Sequence, residues 1–110
     1  MSSSRLKPTW FHLLLALADG PQHGYAIRGL VAERTGGEVK LWPATLYGSI
    51  RQMEEEGLIV ETDHGEAPGD DPRRRYYRLT PRGRAELAAE TDRLQALVEA
   101  ARSSRALREA

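Results

Sequence analysis

Thr45, Arg51 and Gln52, with Ala44 and Gly48 between them, are the residues of this chain whose types and spacing best fit a chemistry. That chemistry is hydrogen bonding to an extended anionic surface. At about 100° per residue they gather on one side of a helix, opposite Leu46, Ile50 and Met53, which follow the i, i+4, i+7 spacing of a buried stripe. A helix entering a DNA major groove needs small residues where its backbone approaches closely, and a few donors that reach base edges or phosphates. Tyr47 lies on the flank between the two faces, where a phosphate contact is favoured over packing. A second group is cationic: Arg73, Arg74 and Arg75, followed by Arg78, Arg82 and Arg84, fall within twelve residues that contain no acid. Guanidinium groups suit phosphate oxygens. Each feature has an ordinary alternative, an amphipathic surface helix for the first and a solvated arginine cluster for the second. Their order in the chain decides between these readings.

Other chemistries are poorly served. The absence of cysteine excludes disulfides, thiolate metal sites and cysteine nucleophiles. His12, His23 and His64 are far apart, no H-x-x-x-H or phosphate-cradling glycine signature occurs, and serine is confined to the two ends and Ser49. No enzyme, catalytic residue, metal or cofactor is therefore expected. A metal sensor built from Asp63, His64 and Asp70 or Asp71 competes with a plain hydrophilic loop tip, and the loop is preferred. His12 reads as a satisfied histidine in an otherwise apolar helix.

The chain has 110 residues, enough for one domain with a modest core, and 40% hydrophobic with 29% charged residues describes a soluble folded protein. No run is apolar enough to span a membrane and no signal peptide is visible, so a cytoplasmic location is expected. The net charge is zero, but it is polarised: the acids gather at Glu54 to Glu56, Glu61, Asp63, Glu66, Asp70 and Asp71, away from the arginine cluster. A neutral chain can still present a basic face.

The positioning elements follow in order. Residues 1–7 read as a flexible tail. Pro8 to Ala18 is apolar almost all round, a helix buried on most sides, broken by Asp19-Gly20-Pro21. A second helix runs from Gly24 or Tyr25 to Thr35, with Ile27, Leu30 and Val31 inward, and Gly36-Gly37 stops it. Glu38 to Leu41 reads as a short extended connector. Pro43 then opens the organising helix and Gly57 closes it. Leu58 to Thr62 and Arg75 to Leu79 alternate as two strands joined by a loop of Gly, Pro and acids, with Tyr77 and Leu79 on one face and Tyr76 with Arg78 on the other. Thr80 and Pro81 suit the cap and first position of a last helix that can run to about Arg108, roughly 40 Å. Leu87, Leu94 and Ala101 recur on it every seven residues, and Leu97 and Val98 complete a stripe that seeks a partner. The fold class is mainly α with a small β-hairpin: a winged helix-turn-helix over 8–80, then a dimerisation helix over 81–110.

His23-Gly24-Tyr25, Thr45-Leu46-Tyr47, Met53 to Ile59, and Arg74 to Thr80 with Gly83, in this order and spacing, resemble the PadR family of transcriptional regulators. The resemblance covers residues 8 to about 84, and the single C-terminal helix is similar to the family's short branch. It implies a homodimeric repressor on double-stranded DNA, with the third helix in the major groove and the wing across the backbone. It also implies release by a small aromatic or cationic effector. Trp42 and Ala44 depart from the serine or glycine common around the helix proline, which removes a capping oxygen. No aromatic residue follows Tyr77, so a drug-stacking tryptophan on the last helix is not carried over; Trp10 and Trp42 remain, with core packing the favoured use of each. The competing reading is a winged-helix module that holds another protein and no DNA.

Overall fold

The computed structural model describes residues 6–63 and 74–109. Along them run α1 (Pro8–Ala16), β1 (Gln22–His23), α2 (Gly24–Arg34), α3 (Pro43–Glu55), β2 (Ile59–Thr62), β3 (Tyr76–Leu79), α4 (Pro81–Ser103) and α5 (Arg105–Arg108). This is a winged helix-turn-helix with a long helix behind it. The expected flexible tail falls largely outside the described residues, and Leu6 already packs against the core. Glu38 to Leu41 has no regular structure, although Leu41 is buried.

The core is assembled from single faces of each helix. Trp10, Leu13, Leu14 and Leu17 meet Ile27 and Val31 of α2 and Leu46, Ile50 and Met53 of α3, and Leu58, Ile59, Tyr77 and Leu79 close one side. The stop of α3 is fixed by backbone chemistry. Gly57 has φ of 79°, the Leu58 amide donates to the Met53 carbonyl at 2.9 Å and the Gly57 amide to Glu54 at 3.0 Å, so the last carbonyls are satisfied. Buried Leu58 and Met53 complete the turn.

The sheet differs from the expected hairpin. It has three antiparallel strands in the order β1-β3-β2, with Ile59 opposite Leu79 and Thr62 opposite Tyr76 on one side, and Gln22 and His23 opposite Tyr77 and Tyr76 on the other. Two residues are too few for any alternation to announce β1. Its presence changes Tyr76: the side chain does point away from Tyr77, yet it is buried, with the His23 ring edge-on at 5.2 Å.

The start of α4 is locked onto the end of α3. The Thr80 hydroxyl accepts the Gly83 amide at 3.0 Å, while its own proton lies within reach of the Gly57 and Leu58 carbonyls, and the Thr80 amide donates to Leu58 at 3.0 Å. A Cβ on Gly83 would overlap the Leu58 carbonyl, which is backbone and has nowhere to go. Alanine at a helical glycine gains up to about 1 kcal/mol in propensity, but overpacking costs about 1–3 kcal/mol and more where backbone must shift. Gly83→Ala is therefore expected to lower the denaturant midpoint of unfolding; a raised midpoint would show that α4 does not sit this tightly on Leu58.

Candidate nucleic-acid interface

The face of α3 opposite its buried stripe is open. Ala44, Thr45, Arg51 and Gln52 are exposed and Gly48 is half-buried. A Cβ on Gly48 would meet nothing within 4 Å, so the fold itself does not require glycine there. The N-terminus of α3 has no side-chain cap, as Trp42 implies. Trp10 packs into the core as expected, but Trp42 does not: it is 64% exposed, because buried Leu41 anchors the chain and the next residue turns outward.

Tyr47 leaves α3 sideways and lies across the start of α2. Gly24 permits this, since a Cβ there would come within 2.7 Å of the Tyr47 hydroxyl. A cleft of about 450 Å³ opens at this junction, bounded by His23, Gly24 and Tyr25 of the β1–α2 corner, Tyr47 of α3, and Arg74 and Arg75 at the base of the wing, with Tyr77 beneath. Burial, reinforced by the negative charges of Glu54 and Glu61, pushes the Tyr77 phenol above its ordinary range, and it stays neutral. Arg74 and Arg75 are exposed; Arg73 lies outside the described residues, as do His64, Asp70 and Asp71. Among the described residues no group of three His, Cys, Asp or Glu could hold a metal ion. His23, which the sequence offers only as the first residue of the His23-Gly24-Tyr25 motif, is central here: its Nδ1 accepts the Ala26 amide at 3.1 Å and so caps α2. Only the pairing of β1 with β3 brings it to Arg74.

Residues 13–89 match the model of the transcriptional regulator PadR-like family. The chain belongs to that family. It is 36% identical over 91 residues to a transcriptional regulator of Mycobacterium tuberculosis, which covers 83% of this chain and 77% of the relative. It is 37% identical over 78 residues (71% of this chain) to a 37.1 kDa protein of a Streptomyces fradiae transposon, but spans only 20% of that protein's length. A PadR family transcription regulator of Clostridium difficile superposes with a TM-score of 0.71 at 26% identity, over 83% of this chain and 91% of the other. Bacillus subtilis PadR, solved with operator DNA, has the same fold with a TM-score of 0.63 at 23% identity, over 76% of this chain and 46% of the other. Membership in a family of transcriptional regulators, not of enzymes, agrees with the sequence reading.

The α4 stripe is divided. Leu87 packs against the core and Leu94 is half-buried, whereas Leu97, Val98 and Ala101 are exposed. Between Leu87 and Leu94 sits Glu90, a buried carboxylate that the heptad reading passed over, joined to Arg93 by a 2.9 Å bond from Nε. The helix is also shorter than expected. Ser104 is extended, its hydroxyl donates to the Ala101 carbonyl at 2.6 Å and accepts the Leu107 amide at 3.3 Å, so it ends α4 and caps the separate turn α5. Among the described residues no helix is long and apolar enough to cross a membrane.

Proposed function

We propose that this protein is a sequence-specific DNA-binding regulator of transcription that works in the cytoplasm as a homodimeric repressor on an inverted-repeat operator. The observation that carries this reading is the open outer face of α3, with Thr45, Arg51 and Gln52 exposed around a glycine that the fold does not need. A glycine on an open helix face lets another backbone approach closely, and DNA in its major groove is such a partner. Arg74 and Arg75, which line a cleft with Tyr47 on the flank of α3, suit the flanking phosphates. The operator complex of Bacillus subtilis PadR supports the reading by its shared fold. By resemblance to the family, a small aromatic or cationic effector releases the DNA. The division is a winged domain over 8–80 and a dimerisation helix over 81–110.

The deciding experiment is selection of genomic fragments by the purified protein, beginning with its own promoter, followed by a salt titration on the recovered duplex. Phosphate contacts release counterions and give a steep fall of affinity with salt. Absence of any duplex binding would instead favour a protein partner for the same surface. On a recovered site, Arg51→Ala is expected to cost about 1–3 kcal/mol with discrimination relaxed at one base pair if Arg51 reads a base, or to weaken all sequences alike if it touches phosphate. Unchanged affinity in a folded variant would remove Arg51 from the interface.

A further inference from the structure

Leu46, Ile50 and Met53 hold α3 to the core along one narrow stripe, and Tyr47 stands roughly 90° round the helix from it. A helix held along a single line can roll about that line unless a flank is held as well. The link before α3 does not hold one. Glu38 to Leu41 has no regular structure, and buried Leu41 fixes where α3 begins but not how it is turned. On the Tyr47 flank the ring itself meets the start of α2. A Cβ on Gly24 would find its three nearest neighbours on that one side chain, the hydroxyl at 2.7 Å, Cε1 at 2.9 Å and Cζ at 3.0 Å. Gly24 is buried and its φ is not positive, so its own backbone would accept alanine. The ring is what needs the glycine.

We infer that Tyr47 is a positioning residue for DNA recognition: its ring, seated on Gly24, stops α3 from rolling and so sets the angle at which Thr45, Arg51 and Gln52 are presented to the groove. Base readout depends on donors aimed within hydrogen-bond geometry, so a small roll of α3 costs discrimination. Phosphate contacts carry no sequence information and tolerate it better. The inference rests on the DNA-binding reading and adds to it a residue that acts on specificity through the helix that carries it, by its ring and not by its hydroxyl.

The test is binding of full-length variants to the recovered operator and to random duplex, at a temperature where each variant is folded. Tyr47→Ala should lose about tenfold on the operator, within the range of coupling between residues in contact, and little on random duplex, so that discrimination falls. Tyr47→Phe, which keeps the ring, should restore both affinities. Gly24→Ala should still fold, since only the end of a side chain has to give way, yet it should lose discrimination as Tyr47→Ala does. Gly24→Ala combined with Tyr47→Ala should lose no more than Tyr47→Ala alone, because the added methyl group then has no ring to displace. If Tyr47→Ala does not fold, Tyr47→Leu, which stops short of the Cζ and hydroxyl positions, replaces it in the same comparisons. Unchanged discrimination in the folded variants would reduce the contact to packing and overturn the inference. Losses that multiply in the combined variant would overturn it too. So would Tyr47→Phe losing as much as Tyr47→Ala on both duplexes, which would assign the hydroxyl to a phosphate. Failure of the unaltered protein to bind any duplex is a different result, which removes the DNA-binding reading and the positioning role together.

Discussion

Changing Arg73, Arg74 and Arg75 together to alanine is expected to weaken binding to the protein's own site and to random duplex by the same factor. The reason is that phosphate contacts position a protein on DNA without reading its sequence. At about 1 kcal/mol for each solvent-exposed, charge-assisted contact, three together amount to roughly a hundredfold. The slope of log affinity against log salt should flatten by about 2.7, near 0.9 for each phosphate released. Stability should hardly change, because Arg74 and Arg75 are exposed and outside the core. Binding isotherms on both duplexes across a salt series, with a melt of the variant, measure all of this. Loss of discrimination with random binding intact would mean that the wing reads bases and that its assignment to the backbone is mistaken.

The parts of this fold that were legible in the sequence are those specified by local chemistry. Pro43 and Gly57 bracket α3 because one residue lacks an amide and the other accepts a positive φ, and both constraints act within a few residues. Leu46, Ile50 and Met53 are buried as their spacing requires. What was not legible arises between segments distant along the chain. The strand β1 exists because β3 offers it an edge, and that pairing buries Tyr76 against the alternation of its own strand. The cleft draws on three such segments, so Tyr47, His23 and Arg74 carried separate meanings until β1 and β3 paired. Trp42 fails for another reason: an apolar side chain was assigned to the core by type, when its neighbour Leu41 had already taken the inward position. The break at Ser104 is local chemistry that a heptad pattern overrides on paper, since leucine periodicity is silent about a serine that can cap its own next turn.

Replacing Leu94 and Leu97 together by aspartate is expected to yield a folded monomer with little specific DNA binding. The distribution of exposure along α4 gives the reason. Leu87 belongs to the core of its own chain and is left intact, so the winged domain should survive. Beyond it, Leu97 and Val98 are 54% and 47% exposed, and Leu107 on α5 is 52% exposed. Such a strip has no cover within the described residues of its own chain. Fully burying one leucine is worth about 1.5–3 kcal/mol, so two-fold pairing of α4 gains several such contributions, and two carboxylates in their place would repel across the axis. Pairing also answers a need of recognition, since one winged helix reads too few base pairs to find a site in a genome. In an isologous dimer the two copies of α3 would stand about one DNA turn apart, roughly 34–36 Å, and the operator would be an inverted repeat. Truncation after Arg84 should abolish dimerisation too, but it also removes Leu87 and so tests folding at the same time; the double aspartate variant separates the two. Sedimentation of the intact protein at micromolar concentration should give a dimer, and footprinting should give two half-sites related by symmetry. A monomeric intact protein, or one undivided asymmetric footprint, would rule out this architecture and turn the exposed face of α4 towards a different protein partner.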